Sequence, residues 1–224
     1  MNGIPGIPTD FFTSQPQDVA MTLQLLLILT ILSLAPAILI LMTSFTRIII
    51  VLSFVRTSLS TQQMPPNQVL IGLALFLTFF IMAPVYGQIN TQALQPYIRG
   101  DINQNQAVSR AEDPLKTFMA KETRQKDLDL FMKYGKYKMP DRIQDLPMTA
   151  LVPAFTISEL KTAFQMGFMI FIPFLVIDMV VASILMAMGM MMLPPVMISL
   201  PFKILLFIMV DGWYLIVESL LKSF

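Results

Sequence analysis

The stretch SELKTAFQMGFMIFIPFLVIDMVVASILMAMGMMMLPPVMISLPFKILLFIMVDGW, residues 158–213, decides the fold. From Ala163 to Leu193 it is apolar with one charge, Asp178. Pro194–Pro195 turn the chain. A further apolar run, Val196–Val217, carries Lys203 and Asp211. Apolar runs of this length read as helices that cross or border a membrane. Residues 186–192, MAMGMMM, place five methionines in seven positions beside those prolines.

The N-terminal half repeats the pattern. Val19–Val55 carries a single charge, Arg47, and Pro36 divides it into pieces of 17 and 19 residues. A proline inside a helix removes a hydrogen bond, which predicts two short helices or one bent helix there. Thr57–Gln68 is a polar connector stopped by Pro65–Pro66, with Asn67 placed to cap the next helix. Val69–Tyr86 is a second run, just long enough to span. Residues 1–18 lack Lys and Arg and contain three prolines, which predicts an irregular tail without a secretory signal.

Between the apolar halves lies a polar segment, residues 87–150, which holds 18 of the 29 charged residues. Asp113–Pro114 reads as a helix start. Leu115, Phe118 and Met119 form one apolar triad, and Leu128, Phe131 and Met132 form another. At helical spacing the two triads point in roughly opposite directions. Either the helix bends near Glu122–Lys126, or one helix meets apolar surfaces on both sides, which hints at subunit contacts. The fold class is therefore all-α. A tail (1–18) precedes a first apolar hairpin (19–86), a polar, mostly helical segment (87–150) and a second hairpin (151–224). Arg47 and Arg56 end the first run, while no basic residue precedes it. The positive-inside tendency then makes residues 87–150 extracytoplasmic.

Composition excludes much chemistry. The 224 residues are 55% hydrophobic and 13% charged, with no Cys and no His. Zinc sites of the usual kind, haem ligated through His or Cys, iron–sulfur clusters and Ser–His or Cys–His nucleophiles are impossible. A net charge of +1 gathers no nucleic acid. No catalytic residues, metal or cofactor emerge.

Charges within the apolar runs, Arg47, Asp178, Lys203 and Asp211, must face protein or water. They are either an ion relay or pairs that fix helix register. Asp178 and Lys203 are equidistant from position 190.5, so an antiparallel hairpin centred there puts them at one level. An apex at Pro194–Pro195 offsets them and favours pairing between subunits. Glu159 and Lys161 open the second half; Glu159 suits a helix start capped by Ser158 or Thr156, or an inter-subunit pair. Asp178 and Asp211 are two carboxylates of the kind an intramembrane aspartyl protease uses. The context Met209–Val210–Asp211–Gly212 lacks the Gly-x-Gly that precedes such an aspartate. An ion-coupled transporter is the other rival. The Met cluster either packs a core or forms a soft constriction, since methionine adapts to varied shapes.

Three runs, residues 35–59 (APAILILMTSFTRIIIVLSFVRTSL), 65–84 (PPNQVLIGLALFLTFFIMAP) and 158–213, resemble the FliP family of flagellar export-gate proteins and its relatives in virulence type III secretion. The resemblance implies a non-enzymatic subunit of a protein export channel in the bacterial cell membrane and flagellar basal body. Five copies would assemble with FliQ and FliR in a helical ring, through which unfolded flagellar substrates pass. It also implies that much of the apolar surface faces other subunits rather than lipid. Met190, Met191 and Met192, with Met186 and Met188, take the place of a pore gasket. Arg47, Glu159, Lys161, Asp178, Lys203 and Asp211 take the place of charges that tie helices or subunits together. Phe118 and Phe131 take the place of subunit contacts. The lack of a signal peptide is similar to versions from bacteria with a thick wall and a single membrane.

Overall fold

A computed structural model describes residues 16–61, 64–190 and 192–224. The expected tail lies outside the described residues up to residue 15, and from Pro16 the chain is helical. All regular structure among the described residues is helical. Two units are present, Met1–Leu39 and Ile40–Phe224. Helix α1 (Pro16–Met42) forms the described part of the first, and its last turn opens the second.

Pro36 does not divide the first apolar run; it lies inside α1. The break falls at Thr43–Ser44, where hydroxyls compete for helix backbone groups. Thr43 Oγ1 accepts from Phe45 N at 3.3 Å, and Thr46 Oγ1 donates to the Ile40 carbonyl at 2.7 Å. Helix α2 (Phe45–Ser58) follows. Helix α3 (Asn67–Ile89) starts after Pro66, so Asn67 is its first residue rather than its cap. It continues through a π turn (Asn90–Leu94) into the short α4 (Gln95–Ile98).

In the polar segment the sequence places a helix start at Asp113–Pro114, and the structure does not. Helix α5 (Gln104–Glu122) begins earlier and contains Pro114. Its N-terminus is closed by reciprocal bonds between Asn103 and Gln106, which satisfy two otherwise orphaned N–H groups. The chain breaks at Thr123–Arg124, inside the expected 122–126 window, and α6 (Gln125–Tyr134) follows. This break rotates the two triads onto one core. Met119, Leu128 and Met132 are buried together with Ala150, Leu151, Ala154 and Phe155.

The last four of those residues come from the start of α7 (Met148–Ala187), a 40-residue helix. At 1.5 Å per residue it runs about 60 Å, twice a hydrocarbon core. Its first half also packs on α2, whose Ile48, Val51, Leu52 and Val55 form a fully buried i, i+3, i+4, i+7 stripe. Ala163 and Gly167, one turn apart on α7, let α2 approach closely. A Cβ built on Gly167 would stand 2.5 Å from the Phe54 ring.

After α7 the chain reverses into α8 (Pro195–Met209), which packs back along α7. The single fourth run read from sequence is two helices. At Asp211 the backbone turns left-handed (φ 50°), and α9 (Gly212–Lys222) departs at 62°. Among the described residues two helical stretches, Asn67–Ile98 and Met148–Ala187, are long and apolar enough to cross a membrane, or up to four if each bent pair counts as one span. In α7 only 11% of the most apolar 18-residue window is buried within the chain.

Candidate functional site

Two buried ionic nodes and one methionine loop account for most of the residues singled out from the sequence. The first node centres on Arg47, which is 2% exposed. Its guanidinium has five N–H donors, and all five are engaged. Nε donates to Glu159 Oε2 at 2.9 Å, and Nη2 reaches Glu159 Oε1, a two-pronged pair. Nη2 also donates to Glu122 Oε2 at 2.8 Å. Nη1 donates to the Ser223 carbonyl at 2.7 Å and to Ser223 Oγ at 3.1 Å. The guanidinium carbon sits 3.8 Å from the centre of the Phe224 ring, a cation–π contact. That ring stacks on Phe118 on its way to Phe155. One side chain thus joins α2, the end of α5, the first third of α7 and the segment after α9.

Glu159 is therefore not a helix-start charge. It lies eleven residues into α7 and is fully buried. Its neighbour Ser158 accepts from Arg124 N at 3.0 Å and donates to Asp127 Oδ2 at 2.7 Å, so it fastens the start of α6 instead of capping α7.

The second node joins the α7–α8 hairpin. Lys203 Nζ lies 2.6 Å from Asp178 Oδ2 within one chain. Ser199, one turn before Lys203 on α8, donates to the other Asp178 oxygen. Lys203 Nζ also donates to Ser60 Oγ at 2.7 Å, beyond the end of α2. With Asp178 held in this way and Asp211 in the α8–α9 turn, the two carboxylates do not form a shared-proton dyad. Asp211 is exposed and forms no ion pair among the described residues. Lys161 is likewise exposed, beside Arg124 and Lys126, without an ion pair among the described residues.

The methionine cluster straddles the end of α7. Met186 is in the last helical turn, Met188 ends the helix, and Gly189 takes the positive φ (73°) that closes it. Met186, Met188 and Met190 are exposed, and Met192 is 99% exposed, so none of them packs a core within this chain. Met191 lies outside the described residues. Phe118 and Phe131 are partly buried against the chain's own α5–α6–α7 core, so only their outer edges remain for another molecule. Among the described residues no group of three acidic side chains could hold a metal ion.

Glu122, Ser60, Ser199, Ser223 and Phe224 complete these nodes and were not singled out from the sequence. Their one signal is position: each is polar or aromatic at a helix end or on a helix face that meets a buried charge.

Comparison with known proteins gives the family. The profile of the FliP family matches residues 28–220, almost the whole chain. A flagellar biosynthetic protein FliP of Bacillus subtilis is 70% identical over 214 residues, covering 96% of this chain and 97% of that one. The proteins of the same name from Pectobacterium carotovorum and Borreliella burgdorferi are 51% and 52% identical. They cover 99% and 92% of this chain, and 86% and 83% of their own lengths. The family profile spans Arg47, Glu159, Asp178, Lys203 and the methionine loop, and the chain belongs to the FliP family.

Proposed function

We propose that the chain is a subunit of the flagellar protein export gate in the bacterial cell membrane, at the flagellar basal body. In this reading several copies form a helical ring with FliQ and FliR, and unfolded flagellar proteins pass through its centre. The chain contributes structure and a seal, not catalysis. Lys161, Asp211 and the outer edges of Phe118 and Phe131 are free to meet neighbouring subunits, whereas Arg47–Glu159 and Asp178–Lys203 keep each copy's helices in register.

The observation that carries the reading is the α7–α8 hairpin. Phe168, Met169, Met179, Val180, Met197, Phe202, Leu205 and Met209 stand on several of its faces and are exposed. Lipid accepts such a surface, but lipid gives no reason for five methionines at the hairpin tip. Flexible, polarizable methionines suit a seal that must close on itself and yield to chains of varied shape. Repeated around a ring, Met186, Met188, Met190, Met191 and Met192 form an apolar gasket against ions.

The test is the native mass of the complex extracted in mild detergent. A ring with companion subunits gives a particle many times heavier than the 25.3 kDa chain. A particle of one or two chains would exclude the gate and favour a transporter.

A further inference from the structure

We propose that Ser60 is a positioning residue for the methionine loop: it anchors Lys203, and through it the α7–α8 hairpin, to the turn between α2 and α3. This deepens the gate reading and rests on it for ion leak alone, not for the geometry.

The backbone supplies the first observation. Ser60 has φ 57°, in the left-handed region that side-chain-bearing residues rarely adopt. Such conformations persist where the surroundings impose them, and they gather where a side chain must be aimed. The turn is fixed from both sides. Ser60 N donates to the Thr57 carbonyl at 2.9 Å, and Thr61 Oγ1 donates to the Met64 carbonyl at 2.6 Å, with the Arg56 carbonyl 3.2 Å away.

The second observation is the target of the hydroxyl. Lys203 is 1% exposed and already neutralised by Asp178. The bond to Ser60 is therefore not needed for charge balance. A lysine on a flexible four-carbon stem can swing about a single carboxylate partner. A second acceptor, on the residue just past the end of α2, fixes where the ammonium sits, and so where α8 sits.

The bonds run on toward the loop. Lys203 holds Asp178, and Asp178 accepts from Ser199, whose Oγ lies 3.1 Å from the Val196 carbonyl in the same turn of α8. Val196 follows Pro194–Pro195 directly, at the foot of the methionine loop. Polar contacts thus run from the α2–α3 turn to Ser199, near the start of α8 and next to the loop.

Three variants of the full chain, assembled in the complex, test this. Ser60→Gly suits the positive φ but has no hydroxyl, so its effects do not come from a strained turn. Ser60→Asn tolerates the same backbone and offers an acceptor oxygen. Ser60→Ala removes the hydroxyl and keeps the strain. Because the chain has no cysteine, spin labels can be placed on cysteines at Thr57 and Val196 alone, with labelled chains diluted among unlabelled ones. The wild type should give one narrow distance distribution. Ser60→Gly and Ser60→Ala should broaden it and raise resting ion leak several-fold, with native mass unchanged. Ser60→Asn should restore both. A distribution that stays narrow in Ser60→Gly overturns the anchor. Broadening without leak upholds the anchor and counts against the gasket.

Discussion

Replacing Arg47 by Met removes the cation at the centre of the first node while keeping much of its volume. The cost follows from what is left behind. Glu159 is fully buried, and its two close contacts are both to Arg47. Breaking a buried pair by removing one member costs about 3–5 kcal/mol, because the remaining charge is uncompensated. Glu159→Gln is gentler. Arg47 then keeps Glu122 and Ser223, and the loss is about 1.5–3 kcal/mol for hydrogen bonds to a charged group. The double variant Arg47→Met/Glu159→Gln leaves Glu122 as the one charge of the node, 10% exposed and still paired with Lys121 at 3.5 Å. It should therefore be more stable than Arg47→Met alone, with a coupling of about 2–3 kcal/mol. Unfolding of the detergent-solubilised chain in a denaturing detergent can be followed through Trp213, the single tryptophan, which packs on Phe207. An Arg47→Met chain within about 0.5 kcal/mol of wild type, the scatter expected of an ordinary surface change, would refute the reasoning. So would a double variant less stable than the sum of the single effects.

Gly167→Ala should destabilise the α2–α7 contact by about 1–3 kcal/mol through overpacking, since its Cβ meets the Phe54 ring. Adding Phe54→Leu should recover part of that loss in the same unfolding assay, and an unchanged single variant would mean that α2 and α7 do not pack this closely. At the second node, Asp178→Lys or Lys203→Asp alone leaves two like charges facing each other and should abolish motility. The exchanged pair should regain measurable swimming, because the hydroxyls of Ser60 and Ser199 can donate or accept. A swap as immotile as either single variant would show that more than pairing is required of these two positions.

Arithmetic brought Asp178 and Lys203 together but not their setting: counting from position 190.5 sets them at one level, an apex at Pro194–Pro195 favoured pairing between subunits, and the structure joins them within one chain. The break near Glu122 was only half legible: the opposed triads allowed either a bend there or one helix with apolar surfaces on both sides, and the structure has the break. Helix ends were harder. Pro36 and Pro114 read as boundaries, yet both lie inside helices, where a proline forfeits one bond without ending the helix. The breaks fall instead at Thr43–Ser44, Thr123–Arg124 and Asp211, where side-chain hydroxyls or a left-handed residue interrupt the ladder. Glu122 was not singled out, because its partner is 75 residues away in sequence. Ser223 is 176 residues from Arg47, and no local pattern announces an approach of that span. The methionine loop stood out by density alone, and its exposure is what separates it from core packing.

The central claim is that the methionine loop seals an export pore, and membrane conductance measures it directly. Cells or vesicles carrying the complex with Met190–Met192 deleted should leak small ions at rest, while the native mass of the complex stays that of wild type. Conductance equal to wild type in an intact complex would contradict the claim.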